Sequence, residues 1–471
     1  MNPELRTKNI EGLRIEANRI GFQELPWMGE LVGFDVYKIP LEYLVYNKYN
    51  GRILSRTLSL EQQGHSIDEY SKEGRAKIAE LLYKSKKDRN DKTLKSLERF
   101  GQEKIGIITK DGIIIDGNRR AMLLSRLKKY DYFKAVILPV TLDENPLEIE
   151  KLETSYQMGE DEKLGYNPIE KYLKAKGLYK RLNGEKPYDS KKPNKVAIGK
   201  IYDWMGEDES TVIEYLDVVQ TMDEYLDYLG YEGIYTQLDG REDQFINLTK
   251  WLKAMGGSEP SAKGFDGYKK KDVADLQMIA FDYIRVKYEG KKFRVLAHGR
   301  RESHIFGDRN LWIEFRDSHF QKINPILKSE QEIDYNSEDI VSHLNDRDHK
   351  FKNNALECLT DNLELYTDKL KNKQESNQPI KLVNRAVQAL EAIDKEQEAF
   401  SRPDVLGQVG SLIETALSIL QEKDLDQLLM EVKNSLKSIH DSGAVEKLSS
   451  SKELIVEISR LSEEIRKKLD K

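Results

Sequence analysis

Residues 105–124 constrain the fold more than any other part of the chain. Two short runs of β-branched residues flank Asp111-Gly112, which is a strong signal for a hairpin turn. The second run stops at Asp116-Gly117, and an apolar helical pattern with two arginines in its first turn follows. Helix N-termini and arginine side chains both favour phosphate oxygens. The segment therefore predicts either a phosphate site or a tight strand–helix connection with exposed arginines.

Asp116-Gly117-Asn118-Arg119-Arg120 resembles the Gly-Glu-Arg-Arg box of the ParB/sulfiredoxin superfamily. Two further stretches occur in the family's order. Residues 37–52 resemble its opening strand and Asn-x-Arg segment, and residues 153–157 with 166–170 resemble its third box. The resemblance covers residues 35–230, less than half of the chain. The ordered set of boxes is more specific than any single box.

The resemblance implies an α+β ParB/sulfiredoxin-like domain with a small mixed sheet, followed by a mostly α-helical central and C-terminal part. It implies CTP or ATP as a ligand, with Mg²⁺ as the accompanying ion. The positions it assigns to the nucleotide are Asn50, Arg52, Gly117, Asn118, Arg119, Arg120 and Gln157. The family usually has glutamate at position 118 and an arginine in its third box, and this chain has neither. Because asparagine cannot act as a general base, these departures favour binding over hydrolysis.

An enzyme built on the same domain is the alternative, either a nuclease or a nucleotide hydrolase. In that interpretation Asp116 ligates a metal ion and Glu153 supplies the second catalytic carboxylate. No helical His-Glu-x-x-His motif is present, so no metal site is predicted from a motif alone. No cysteine lies near the box, which argues against sulfiredoxin-type chemistry. A third interpretation is an adaptor that keeps the fold without the chemistry.

Composition sets outer limits on the class of protein. A chain of 471 residues is long enough for two or three domains. The net charge of −6 neither indicates nor forbids a nucleic-acid partner, since local patches decide. The single cysteine, Cys358, excludes an internal disulfide and a multi-cysteine metal site. No signal peptide and no apolar run of membrane-spanning length is visible, so we expect a cytoplasmic protein without a membrane partner.

Pattern changes along the chain predict four domains. They are a ParB/sulfiredoxin-like domain over residues 1–160, a helical domain over 161–255, a basic aromatic region over 256–334 and a helical bundle or coiled coil over 335–471. Within the second, residues 196–216 read as an amphipathic helix, a glycine turn and a second helix, which is the helix-turn-helix pattern. Residues 195–230 carry two lysines against nine carboxylates, however. This charge opposes DNA contact and leaves a packing or dimer module as the alternative.

Two stretches are basic. Residues 263–301 carry eleven basic and five acidic side chains, and six aromatic residues lie among them. These aromatic residues either stack on bases or fill a core. The candidate nucleic-acid contacts in this stretch are Lys269, Lys270, Lys271, Arg285, Lys291, Lys292, Arg294, Arg300 and Arg301. Residues 84–104 carry eight basic and four acidic side chains, either as a solvated helix pair or as a nucleic-acid-facing arm.

The C-terminal region repeats apolar residues at helical spacing, as in Ile380, Val383, Val387 and Leu390. Three or four antiparallel helices or short coiled coils are expected, either as an intrachain bundle or as a surface for a homodimer or a partner protein. Together these features predict a ParB-like DNA-associated protein that binds a nucleotide or nucleic-acid phosphate through its Gly-Asn-Arg-Arg box. Partition, mobile elements and phage defence are the settings in which relatives of this kind serve.

Overall fold

A computed structural model describes most of the chain. The described residues are 1–15, 18–127, 129–161, 167–257, 261–334, 340–375, 378–393, 397, 402–421, 425–441 and 452–469. They form two compact units, Met1–Gln378 and Pro379–Lys471. No helix in this described part combines the length and apolar character that a membrane span requires.

A mixed six-stranded sheet forms the N-terminal part of the first unit. Its strands are β1 (Arg19–Trp27), β2 (Glu30–Pro40), β3 (Val45–Tyr46), β4 (Gly106–Ile108), β5 (Ile113–Asp116) and β6 (Tyr132–Ile137). Their spatial order is β1-β2-β6-β4-β5-β3, with β4/β6 and β3/β5 parallel and the other pairs antiparallel. The hairpin predicted at Asp111-Gly112 joins β4 to β5, and Gly112 adopts φ +88° there. The predicted small mixed sheet is confirmed.

Helices cover both faces of this sheet. They are α1 (Pro3–Leu13), α2 (Leu54–Gln62), α3 (Lys72–Ser85), α4 (Lys87–Phe100), α5 (Asn118–Leu124) and α6 (Pro146–Asp161). Because successive strand residues point to opposite faces, Ile108 packs in a cluster with α3 and α5, whereas Ile107 packs in another with α6. The strand β5, which ends at the box, therefore lies between two apolar clusters, one on each face of the sheet.

The rest of the first unit is helical. Its elements are α7 (Pro168–Leu182), α8 (Lys195–Met205), α9 (Glu209–Leu229), α10 (Glu242–Met255), α11 (Lys270–Arg285), α12 (Gly290–Phe293), α13 (Arg309–Lys328) and α14 (Ile340–Gln374). One apolar cluster runs from Ile169 to Leu370 through these helices except α8, which packs in a separate cluster with parts of α7 and α9. The predicted boundaries at 255/256 and at 334/335 therefore do not separate independent cores. Residue 335 itself lies outside the described residues.

Helices α8 and α9 form where the helix-turn-helix pattern predicts two helices. Gly206 ends α8 with φ +65°, and the Asp208 side chain accepts a hydrogen bond from the Thr211 backbone N–H at 2.7 Å to start α9. A carboxylate cap is consistent with the helix dipole. Contact of these helices with DNA stays a prediction.

The second unit contains α15 (Gln378–Glu391), α16 (Pro403–Gln421), α17 (Leu425–Asp441) and α18 (Lys452–Leu469). The helical character of the C-terminal region is therefore confirmed. The apolar stripe of α15 is exposed along its length, with Ile380 and Val383 each 62% accessible. The overall class is an α+β domain followed by a mostly helical remainder, as expected.

Candidate functional site: a basic cavity beside the Gly-Asn-Arg-Arg box

Gly117 makes the turn from β5 into α5. Its φ of +99° lies in the region that side chains other than glycine rarely adopt. A Cβ atom at this position would lie 2.6 Å from Cζ of Phe133 on β6, closer than real Cβ contacts. Glycine is therefore required both by the backbone conformation and by the neighbouring ring. Its role is to bring the start of α5 close to the sheet.

The Asn118 side chain is buried and connects the box to the loop that precedes α2. Its Oδ1 accepts a hydrogen bond from the Asn47 backbone N–H at 2.9 Å, and its Nδ2 donates to the Ile114 carbonyl at 2.8 Å. Further along the same loop, Asn50 Oδ1 accepts from the Arg52 backbone N–H at 3.2 Å. Asn50 and Asn118 thus act as positioning residues, since they fix the loop that presents Arg52.

The two arginines of the box point to different surroundings. Arg119 donates to the Thr93 hydroxyl on α4 at 2.7 Å and lines a cavity. Arg120 pairs with the Asp116 carboxylate at 2.7 Å and reaches the Ile105 carbonyl at 3.4 Å, which braces the strand–helix turn. Arg120 is not among the side chains that line this cavity. The structure therefore brings together Arg52 and Arg119 of the expected phosphate ligands, but not Arg120.

The cavity, which we call the basic cavity, lies between α2, α5, α7 and the junction of α3 with α4. Its volume is about 110 Å³. A single water molecule needs only about 10–15 Å³ of such space, so the cavity can admit a larger group such as a phosphoryl group. The lining residues are Arg52, Arg56, Ser85, Lys86, Arg119, Asn167 and Glu170. Four basic side chains thus surround one carboxyl group.

Glu170 is that carboxyl group, and it is only 1% exposed. It accepts hydrogen bonds from the Ser55 backbone N–H at 2.9 Å and from the Ser55 hydroxyl at 2.6 Å, and Arg56 approaches to 3.9 Å. Burial raises the pKa of Glu170 to about 7, because the hydrogen bonds from Ser55 and the charge of Arg56 only partly offset the loss of solvation. Near neutral pH the cavity therefore holds four positive charges and a partly protonated acid.

Three lining residues were not named as candidate ligands from the sequence, namely Arg56, Ser85 and Lys86, although the last two lie in the basic stretch of residues 84–104. They lie on α2 and at the α3–α4 junction, where nothing in the local pattern distinguishes a cavity lysine from a solvated one. Asn167 and Glu170 belong to the stretch that resembles the third box, so the resemblance pointed to them without giving them roles. Asn167 Oδ1 also caps α7 by accepting from the Ile169 backbone N–H at 3.1 Å.

The expected catalytic carboxylates are both engaged by cations. Asp116 pairs with Arg120, and Glu153 lies 3.5 Å from Lys174 and accepts from Asn47 Nδ2 at 3.2 Å. Burial alone would lower the pKa of Lys174, but attraction to Glu153 and to Glu150 outweighs it and the pKa is raised. Within the described residues no group of three or more His, Cys, Asp or Glu side chains could hold a metal ion.

Gln157 belongs to α6, but its side chain lies outside the described residues. Glu153 and Lys174 line a second cavity of about 490 Å³ between α2, α6 and α7, together with Glu150 and Arg181. Arg181 lies 3.0 Å from Glu150. With Asp143, this cavity is lined by three carboxylates and two cations, whereas the basic cavity is lined by four cations and one carboxyl group.

The basic aromatic region of residues 263–301 divides into a surface and a core. Of the candidate nucleic-acid contacts, those that are exposed are Lys269, Lys270, Lys271, Lys291, Lys292, Arg294 and Arg300. Arg301 is partly buried and forms a bidentate pair with Asp266 at 2.7 and 2.8 Å. The aromatic side chains are all buried, namely Phe265, Tyr268, Phe281, Tyr283, Tyr288 and Phe293. Of the two interpretations left open, the structure supports the core for these rings, which are not available to stack on bases.

Arg285 is a correction to the predicted nucleic-acid surface. Its side chain is inaccessible, and it pairs with Asp348 at 2.8 Å and with Glu330 at 2.6 Å. Its guanidinium also lies over the Phe351 ring, 4.2 Å from the centroid. Arg241 shares Asp348 at 3.2 Å. The cation was misassigned because its partners lie 45 and 63 residues further along the chain.

Comparisons with known proteins add little. No protein-family model and no curated protein matches the sequence. Among solved structures, the chain is similar to the C2221 form of a Pnob8-like ParB-N domain, at 10% sequence identity and a TM-score of 0.35. The match covers 63% of this chain and 98% of that one. A similarity of this size carries no argument about function, so the ParB-like assignment continues to rest on the boxes in the sequence.

Proposed function

We propose that this ParB-like protein is DNA-associated and binds a phosphate group of a nucleic acid or a nucleotide in the basic cavity. The observation that supports this is the convergence of Arg52, Arg56, Lys86 and Arg119 on one phosphate-sized space. Guanidinium groups match phosphate oxygens in geometry as well as in charge. The hydroxyl of Ser85 and the amide of Asn167 add neutral hydrogen-bonding groups at the same place.

The arrangement favours binding over hydrolysis. A hydrolytic site needs a base or a metal ion placed beside the phosphate. Here Asp116 and Glu153 are held by Arg120 and Lys174, and position 118 carries an amide. CTP and ATP, with and without Mg²⁺, are the nucleotides to compare, and phosphate release in the same samples tests the hydrolase alternative.

The decisive experiment replaces Arg52 and Arg119 together by glutamine. Binding of pyrophosphate, CTP and ATP is measured by calorimetry, with Arg19→Gln as the matched control because Arg19 forms an exposed pair with Asp35. We expect the double variant to lose about tenfold or more in affinity for each ligand, since each charge-assisted hydrogen bond is worth about 1.5–3 kcal/mol. Equal affinities of the double variant and of wild type would overturn the proposal.

Two further surfaces belong to the same proposal. The exposed lysines of residues 269–271 and 291–292, with Arg294 and Arg300, form a second set of phosphate contacts that acts by charge alone. The exposed apolar stripe of α15 supports self-association, or docking of a partner protein, through the C-terminal helices.

A further inference from the structure

Helix α4 is held in a fixed orientation beside the basic cavity. Asn90 is fully buried and donates to the carbonyls of Leu82 and Tyr83 at the end of α3, at 3.0 and 2.6 Å. Leu97 packs into the core, and Thr93 receives the hydrogen bond from Arg119. These contacts determine which face of α4 borders the cavity and which faces water.

One face of α4 begins at the cavity residue Lys86 and continues through Arg89, Thr93, Ser96 and Phe100, and we call these five residues the α4 strip. These residues follow one another at spacings of three or four positions and fall within about 80° of one another around the helix axis. The three carboxylates of α4, Asp88, Asp91 and Glu98, lie outside this arc at the same helical pitch. The strip is therefore basic and hydroxyl-bearing, with no acidic side chain of α4 on it.

The strip begins at the cavity and ends at an exposed ring. Lys86 lines the basic cavity, and Phe100 closes the helix with 62% of its surface accessible. The Arg99 guanidinium lies over the Phe100 ring, 5.0 Å from its centroid. A single exposed apolar side chain needs no explanation by itself. A ring at the end of a basic face that starts at a phosphate-sized cavity matches the pattern of sites for single strands, where cations follow the backbone and aromatic rings stack on bases.

We propose that the α4 strip extends the basic cavity into a binding track for single-stranded nucleic acid. The inference rests on the proposed function, because the cavity anchors one backbone phosphate. Arg89 then contacts the next phosphates, and an unpaired base stacks on Phe100. Fourteen residues of helix span about 21 Å, the length of a few nucleotides. A duplex fits less well, because its bases are stacked on one another and leave no face for the ring.

The test uses the full chain and a fluorescein-labelled dT12 oligonucleotide, read by fluorescence anisotropy at two salt concentrations. Phe100→Ala should weaken binding about tenfold, in the range expected for loss of one stacked base. Arg89→Gln should weaken binding and reduce the slope of log affinity against log salt by about 0.7, as for one phosphate contact on a single strand. Circular dichroism confirms that each variant is folded.

Two matched controls separate the strip from general surface effects. Phe22→Ala removes a ring of equal exposure, 59%, from the edge strand β1. Lys95→Gln removes an exposed charge from α4 outside the strip. Both should bind dT12 within about twofold of wild type, since neither residue belongs to the strip. Loss of affinity in the controls equal to that in Phe100→Ala and Arg89→Gln would overturn the inference.

Three other outcomes bear on the proposal. The proposal is overturned if wild type, Arg89→Gln and Phe100→Ala bind dT12 with equal affinity. It is also overturned if the two variants change self-association, measured by sedimentation, without changing dT12 binding. Tighter binding of the dT12·dA12 duplex than of dT12 also overturns it. Failure of the cavity itself is distinguishable, because pyrophosphate binding depends on Arg52 and Arg119 and should be unchanged in Arg89→Gln and Phe100→Ala.

Discussion

Replacing Glu170 by glutamine should remove a pH dependence of stability that originates in the basic cavity. In the folded protein burial holds the pKa of Glu170 at about 7, against an ordinary value of 4.5. Several charged groups face this carboxyl group. Arg56 lies on α2 and Asp239 lies on the loop before α10, while Arg52, Lys86 and Arg119 line the same cavity. The cations favour the charged carboxylate and Asp239 opposes it, but burial dominates.

The sign and size of the effect follow from proton linkage. Below about pH 4.5 both the folded and the unfolded chain keep the proton, and stability is at its highest with respect to this group. As pH rises, the unfolded chain releases the proton first, so the folded protein loses stability until the pH passes about 7. A shift from 4.5 to about 7, at about 1.4 kcal/mol per pH unit, amounts to ~3 kcal/mol.

Urea unfolding of wild type and Glu170→Gln at pH 5 and pH 8 measures this difference. Glutamine cannot accept both hydrogen bonds from Ser55, which adds a pH-independent cost of about 1 kcal/mol. Part of the loss has already occurred at pH 5, so relative to wild type the variant should gain about 2.5 kcal/mol in free energy of unfolding between the two pH values. Glu185→Gln, an exposed carboxyl group after α7, is the control and should follow the wild-type profile. If the difference in free energy of unfolding between wild type and Glu170→Gln is the same at pH 5 and pH 8 within about 0.5 kcal/mol, the reasoning is refuted.

Two further changes test the architecture around the site. Gly117→Ala should cost about 2–4 kcal/mol in urea unfolding, because the left-handed backbone is strained and the new Cβ meets Phe133. Gly184→Ala, at φ +64° with open space around it, should show only the smaller backbone cost, and equal costs at both sites would contradict the predicted clash. Asp348→Ala should cost about 3–5 kcal/mol, because it removes the carboxylate that pairs with the buried Arg241 and one of the two carboxylates that pair with the buried Arg285. Asp266→Ala, which removes an exposed partner of Arg301, should change thermal stability little, and a loss as large as that of Asp348→Ala would argue against burial as the cause.

The elements that the sequence predicted well are those whose signals are local. The Asp111-Gly112 hairpin and the strand–glycine–helix order of the box depend on neighbouring residues, and all of them form. The β1–β2 hairpin was missed because its turn is Met28-Gly29. Both residues have positive φ, of 55° and 87°, and methionine is not a residue that signals such a turn. A short-range rule therefore fails where tertiary packing supports an unusual turn residue.

The elements that could not be predicted depend on distant partners. Arg285 and the lysines around residue 270 look alike in sequence, and only the position of Asp348 on α14 distinguishes a buried ion pair from a surface cation. Likewise, nothing in the sequence shows that Arg52, Lys86 and Arg119 line the same cavity, because they lie on different elements that come together only in the fold. Pattern reasoning predicts which faces of a helix are apolar, but it does not show which cations share a cavity.

The residues of the box have different roles, and this division is compatible with the proposed phosphate binding at a box that has asparagine in place of glutamate. Gly117, Asn118 and Arg120 are all engaged in building the turn, through a left-handed backbone, two buried hydrogen bonds and the pair with Asp116. Only Arg119 is directed to the cavity. The Asp116 carboxylate pairs with Arg120 and is not among the residues that line the cavity. Arg119 thus adds its charge to those of the three other cations that line the cavity. This concentration of positive charge, rather than a catalytic group, is the feature on which the proposed binding of an anionic ligand rests.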